Sequence, residues 1–501
     1  MAGRPVRLGH LVAYGSNDFL GAGAMSIITA WILFFYTTYC GLTAAEAGLI
    51  FVAARLFDAF FSPVIGYISD HFQHTWLGRR FGRRRFFILL AIPLLPSFAL
   101  MWIDGHGFWY YLVTYVFFEL VYAMEIIPYE TLAAEMSPDY KTKAMFAGAR
   151  ILCGQIANIA ALWLPGRIVE HLGGKGSADT FLWLGTIFSV FFVFVALAVY
   201  LFTWERSREE LASYPPPAPG GLGRKLGQLF EDLAATLRIR AFRLHLGMYL
   251  GGYISQDVLN PVLSYFIAFA LAGTVVTMSG INTWMACAQL VSVVLTIGLV
   301  LRIHPAPAYR LAVILFGLGV VGLLSLYFAG VTNISWYLAV VLVAGLGRGA
   351  LNYIPWSVYN YMPDVDEVVT GRRREGAFAG VMTFVRKLMQ SLAIFVVTQV
   401  LDAAGLVPGT LVQPPSVLTA VLLLMGVGTL GILTFGFIVS TRFRLNADTH
   451  AVLMEEIDRF KAGATTPPTA SNRAVVEDLT GWNYDDLWGR GRRVPVRSIR
   501  R

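Results

Sequence analysis

Asp58 lies inside an apolar run, ARLFDAFFSPVIGYISD (54–70), and an ionisable group there has more chemistry open to it than any other in the chain. At about 100° per residue, Arg55, Asp58, Ser62, Gly66 and Ser69 fall within roughly 80° of one helix face. The opposite face is Leu, Phe, Val and Ile. A helix over 45–70 long enough to cross a bilayer puts Asp58 near its middle, where a carboxyl group is costly unless it faces a polar interior. Such a group can take up and release a cation. The run is followed by Arg79, Arg80, Arg83, Arg84 and Arg85, a basic cluster of the kind that marks the cytoplasmic side of a membrane helix.

Other polar residues recur at helical spacing inside apolar stretches. Tyr122, Glu125 and Tyr129 share a face at i, i+3 and i+7, which sets a carboxylate between two aromatic rings, a surface suited to hydroxyl groups. Glu125 could equally pair with Arg150, one stretch further on. Tyr253, Asp257, Asn260 and Ser264 share another face, with Asn260 just before Pro261. Asn282 and Gln289 stand seven apart, and Arg348, Asn352 and Trp356 four apart. Polar groups facing one cavity are what a small-molecule pocket needs, although Asn and Gln also join helices directly. No nucleotide motif, metal-ligand spacing or nucleophile constellation is present, His245 and His304 are isolated, and Cys40, Cys153 and Cys287 are too scattered for a metal site or disulfide framework. An enzyme is not expected, nor a cofactor beyond a coupling ion.

The elements that must carry these residues are membrane helices. The 501 residues are 56% hydrophobic and only 14% charged, against roughly 25% charged in soluble proteins. The runs are continuous and long, unlike the short alternating strands of a membrane barrel. The formal charge of +8 lies mostly in loops and tail, which fits positive-inside topology better than nucleic-acid binding. Twelve spans are predicted: 16–39, 45–70, 85–103, 108–135, 144–171, 179–203, 242–272, 277–302, 310–330, 334–362, 375–402 and 415–440. The first span should direct insertion without a cleaved signal peptide. Arginine-rich loops alternate with nearly uncharged ones, which places both termini in the cytoplasm of an inner or plasma membrane.

A linker at 204–240, with Pro215 to Pro217, Pro219, Gly220 and Gly221, divides a bundle over 1–203 from one over 241–440. Its second part, RKLGQLFEDLAATLR, suggests a short helix on the membrane surface, or else a solvated linker. The halves echo each other: IPYETLAAEMSPD (127–139) and IPWSVYNYMPD (354–364) both place Ile-Pro-aromatic within a span and Met, then Pro-Asp, at its end. This is the all-α, two-bundle plan of secondary transporters, with solute bound between bundles. The tail, 441–501, reads as largely disordered apart from one short amphipathic helix, and its basic end could touch anionic lipid.

The chain resembles the glycoside–pentoside–hexuronide:cation symporters of the major facilitator superfamily. The likeness covers about residues 10–440 and rests on YGSND (14–18), LFFYTTYCGL (33–42), ARLFDAFFSPVIGYISD (54–70), IPYETLAAEMSPDY (127–140) and TGRRREGAFAGVMTFVRK (370–387). The resemblance implies that Asp58 is the cation-site aspartate, that Ser62 replaces a second one, and that Lys387 is the lysine beside that site. The missing carboxylate favours H⁺, with Na⁺ left open. It implies structural roles at the gate for Gly66, Asp70, Arg83 and Arg84, and sites for Asp18 and Arg150 near the solute. Arg386 is expected to serve the cytoplasmic gate, and Arg372 to Arg374 to anchor span 11 at the surface. The family's acidic sugar-binding pair is absent, since Ala22 and Ile126 occupy those positions. Candidate solute contacts are therefore Asp18, Tyr122, Glu125, Tyr129, Arg150, Asp257, Asn260 and Trp356. The implied function is cation-coupled import of a small polar solute, a sugar or glycoside, by a monomer. The alternative keeps the mechanism and carries an amphipathic or anionic solute such as a lysolipid or organic acid.

Overall fold

The structure is a computed structural model that describes residues 6–72, 75–136, 140–172, 177–205, 227, 235–371, 375–463 and 468–488. The regular elements among them are helical. The first half holds α1 (Leu8–Thr38), α2 (Ala44–His71), α3 (Arg85–Leu94), α4 (Phe108–Met136), α5 (Tyr140–His171) and α6 (Ala178–Phe202). The second holds α7 (Arg240–Tyr265), α8 (Val275–Ile303), α9 (Pro305–Phe328), α10 (Ile334–Tyr359), α11 (Glu375–Ala403) and α12 (Pro415–Thr441).

Ten of these regions are long and apolar enough to cross a membrane. The other two depart for visible reasons. α3 runs into a 3₁₀ turn at Ile92–Leu94, where Pro93 and then Pro96 interrupt the ladder, and resumes as Ser97–Leu100. α7 carries Gln256 and Asp257, which lower its hydropathy and are buried inside the protein. Large apolar side chains such as Trp109, Phe194, Leu301 and Val427 are exposed on the outside of the bundle, as a lipid-facing surface requires. This is a multi-pass membrane protein.

Local chemistry sets the helix ends. Thr43 caps α2 and Glu46 returns the bond to Thr43 N–H, a reciprocal capping box. Within each half, α2 packs on α4 and α8 on α10. Between halves, α2 packs on α11 and α5 on α8. These four helices are related by a shift of six, so the echo between the halves extends to their interface.

Described hydrogen bonds between halves gather at the end away from the termini. Thr37 Oγ1 and the Tyr265 hydroxyl are 2.7 Å apart, and Gly409 N–H donates to Thr37 O at 2.9 Å. The Ser279 hydroxyl of α8 donates to Leu162 O of α5 at 2.6 Å. At the other end, the loop before α3 is pinned within the first half. Gly82 takes φ +94°, a conformation that favours glycine, and a Cβ there would fall 2.8 Å from Glu205 Oε1. The Glu205 carboxylate accepts from the backbone N–H groups of Arg83, Arg84 and Arg85 at 3.0, 2.8 and 2.5 Å. Arg83 and Arg84 both reach Glu135 Oε1 at 2.5 Å. Gly66 lies on the α2–α4 contact, where a Cβ would meet Ile127 at 3.6 Å. The Asp70 side chain, Arg372 to Arg374 and ten of the fifteen residues of the expected surface helix in the central linker lie outside the described residues.

The tail holds the one amphipathic helix expected around 452–460 and differs from the expected disorder in a second helix beyond it. α13 (Ala447–Lys461) and α14 (Ala470–Thr480) are helices, and α13 packs on a connector helix, Met362–Thr370, that follows α10. Leu453, Ile457, Val476, Leu479 and Leu487 are all buried. The segment is too polar to read as folded alone, but it finds its apolar and ionic partners on the second half.

Candidate functional site

A cavity of about 420 Å³ lies between the halves, a size suited to a small molecule. α1 and α5 supply one wall, and α7, α8, α10 and α11 the other. α1 is not a regular α-helix where it lines the cavity. π-helical stretches at Phe19–Gly23 and Ile28–Ile32 rotate Ala22, Ser26, Thr29 and Ala30 relative to an ideal helix.

Asp18 lies on the wall, held by Arg150 at 3.0 Å. It fits because the facing residue is Gly154, where a Cβ would fall 2.4 Å from Asp18 Oδ2. Arg150 also reaches Glu130 at 2.9 Å and lies over the Tyr129 ring. Across the cavity, Asp257 pairs with Arg386 at 2.5 Å and accepts from Gln390 at 3.1 Å. Arg386 therefore lines the cavity, not the gate that the sequence suggests. Asn260 also lines it.

Five expected solute contacts fall outside this wall: Arg150, held by Asp18 and Glu130, and four more. Glu125 is fully buried, and its Oε2 accepts from Asn17 Nδ2 at 3.1 Å. Tyr129 is fully buried, donates to Tyr14 O at 2.8 Å and stacks on the Tyr14 ring. Tyr122 reaches Gly21 O at 3.4 Å. Trp356 is 41% exposed and donates to the Tyr253 hydroxyl at 3.0 Å. The shared face of Tyr122, Glu125 and Tyr129 is real, but α1 covers it: the face packs against helix where a ligand was expected.

The Asp58 group is assembled as the spacing suggests. Ser62 Oγ donates to Asp58 Oδ1 at 2.9 Å, one turn along α2. Lys387 Nζ of α11 stands 2.6 Å from Asp58 Oδ2 and 3.3 Å from Ser62 Oγ. The side chain of Asp58 is 1% exposed and that of Lys387 24%, so the carboxylate is buried at the interface of the halves and the ammonium is half-buried. Beside it, Arg55 meets Glu119 of α4 at 3.3 Å and Met25 Sδ, on the cavity wall, at 2.9 Å. Glu119 was not among the candidates; a lone acid in the apolar run YVFFELVY was the available signal. Gln155, Asn158 and Gln390 were also missed, although Gln155 and Asn158 stand five and eight residues beyond Arg150 and all three line the cavity.

A polar cavity between two helical halves, flanked by buried ion pairs, defines a membrane transporter of the major facilitator fold. Residues 13–447 match the family described as MFS/sugar transport protein, and the chain belongs to that family, the glycoside–pentoside–hexuronide cation symporters. It is 26% identical to a symporter of Synechocystis sp., an alignment covering 82% of this chain and 89% of that one. It is 22% identical to the glucuronide carrier protein homolog of Escherichia coli, covering 90% and 95%. Among solved structures, a nucleoside transporter superposes with TM-score 0.60 at 16% identity over 86% of this chain and 99% of its own.

Proposed function

We propose that the protein imports a sugar or glycoside by cation-coupled symport, with both termini in the cytoplasm and the halves rocking about the central cavity. The observation that carries this reading is the Asp58–Lys387 contact of 2.6 Å, because it joins α2 to α11 across the interface that must open and close. A cation reaching Asp58 replaces the ammonium as its counter-charge. Lys387 is then released, and one tie between the halves is lost. Ion occupancy and the state of the interface become one equilibrium.

The donor set supports a proton over sodium. Asp58 and Ser62 supply one carboxylate and one hydroxyl, whereas a hard metal ion takes several oxygens. The solute reading is supported by the amide-rich wall of Gln155, Asn158, Asn260 and Asn352, by the family described as sugar transport, and by a relative named as a glucuronide carrier homolog.

Vesicle uptake of labelled sugars under an imposed proton or sodium gradient tests the coupling. Asp58→Asn should abolish gradient-driven accumulation while leaving some downhill exchange. Full accumulation in that variant would refute the coupling.

A further inference from the structure

The charged groups around the cavity, some buried and some partly exposed, are paired with one exception on its wall. Arg55 has Glu119, Lys387 has Asp58, Arg150 has Asp18 and Glu130, and Arg386 has Asp257. Arg348 is buried, lines the cavity and has no carboxylate within ion-pair distance among the described residues. A guanidinium cannot shed its charge, and a buried charge without a partner is costly. Asp257, the carboxylate whose field reaches Arg348, is already held by Arg386.

What surrounds Arg348 accepts little. Its Nε donates to Gln256 Oε1 at 3.2 Å and its Nη1 to Met285 Sδ at 3.3 Å. The neighbouring amide oxygens are used within the protein: Asn352 Oδ1 accepts from Gln256 at 2.9 Å, and Gln289 Oε1 from Asn352 at 3.4 Å. Asn282, one turn before Met285 on α8 and also on the cavity wall, has a buried Nδ2 with no partner among the described residues. This corner of the cavity has more donors than acceptors. Nor can Arg348 be carried away easily by its helix. It sits in AGLGRGA (344–350), where a Cβ at Gly345 or Gly349 would fall 2.4 Å from the α8 backbone.

We infer that Arg348 is an anion receptor, and that the cavity selects solutes carrying a carboxylate or sulfonate beside their hydroxyl groups. The inference rests on the reading of this cavity as the solute site of a sugar transporter. An oxyanion supplies the missing charge and two acceptor oxygens in the geometry a guanidinium fork prefers, and a further oxygen can take the Asn282 donor. A neutral hydroxyl supplies an acceptor but leaves the charge uncompensated.

The test compares D-glucuronate with D-glucuronamide, which share a skeleton and differ in charge, as competitors and as substrates in proteoliposomes. The intact protein should prefer the acid by about tenfold or more, the ratio should fall to within about twofold in Arg348→Gln, and Arg348→Lys should recover part of it. Uptake of both without preference overturns the anion receptor and leaves sugar transport standing. If neither sugar is bound, the sugar reading fails, and a measurement that needs no solute decides Arg348. With Cys40, Cys153 and Cys287 replaced by Ser, a cysteine introduced by Asn260→Cys is labelled by an anionic sulfonate or a cationic trimethylammonium methanethiosulfonate. Arg348→Gln should lower the anionic-to-cationic rate ratio by roughly tenfold. An unchanged ratio overturns the proposal.

Discussion

Glu119 and Glu125 are both fully buried on α4, yet they differ in what they hold. Glu119 has the guanidinium of Arg55 at 3.3 Å, and removing its charge strands a buried cation. Among the described residues Glu125 has only the Asn17 amide, and both Glu125 Oε1 and Asn17 Oδ1 lack partners there. Glu119→Gln should therefore destabilise the protein by about 3–5 kcal/mol. Glu125→Gln keeps an acceptor for Asn17 and adds a donor, so its cost should stay within about 1 kcal/mol. Thermal unfolding midpoints in detergent check the order, and equal losses would show that Glu125 bears a charge pair after all. The contrast marks what was legible at this scale. Asp58 and Ser62 could be brought together because they lie one turn apart, whereas Lys387, 325 residues beyond Ser62, was set beside them by the family resemblance and not by spacing. Glu125 was misplaced because helical spacing gives a shared face but not what covers it, and the covering helix α1 changes register through two π-helical stretches.

The helices that meet across the two halves do so through small residues. Gly48 on α2 lies against α11 so closely that a Cβ would fall 2.0 Å from Thr398 Oγ1. Gly166 on α5 repeats the arrangement against α8, with its N–H donating to Ser279 Oγ at 3.1 Å. Both contacts lie at the end away from the termini, where the proposed rocking requires the halves to part, so bulk there should act on the conformation sealed at that end more than on the helices themselves. Gly48→Val should disfavour the sealed state by the 1–3 kcal/mol typical of overpacking, roughly tenfold or more in population. A cysteine introduced by Asn260→Cys should then react faster with a membrane-impermeant maleimide added outside intact cells. An unchanged rate would mean that α2 and α11 do not form the moving seam. Twelve spans were legible from apolar runs, and each falls on one of the helices α1 to α12. The pairing of α2 with α11 was implied once Asp58 and Lys387 were matched, but the glycine contacts were not, because an isolated glycine in an apolar helix carries no sign of which neighbour approaches it.

At the scale of the whole molecule, the tail makes the terminal end of the second half into one folded unit. The connector helix Met362–Thr370 buries three acids, Asp364, Asp366 and Glu367. The tail supplies cationic or polar partners to two of them: His450 reaches Asp364 at 2.9 Å and Lys461 reaches Glu367 at 2.8 Å. Trp488 N–H donates to Val368 O at 2.9 Å, and its ring closes over Gly371, the left-handed cap of the connector. Inside the tail, buried Glu456 accepts from Arg459 at 3.1 Å, from Asn472 at 3.0 Å and from the Tyr484 hydroxyl. Arg240, the first residue of α7, pairs with Asp478 at 2.5 Å. α7, the connector and the tail are thus fastened together, although no single segment of the tail is apolar enough to show this in sequence. Deleting 443–501 removes these partners and uncovers buried acids and apolar side chains together. Each such loss is worth on the order of 1 kcal/mol, so amide exchange across 362–370 should accelerate by about a hundredfold or more, with little change in α2 or α4 of the other half. Equal acceleration in both halves would mean that the tail stabilises the whole bundle instead of this unit, and no acceleration would mean that the connector folds without it.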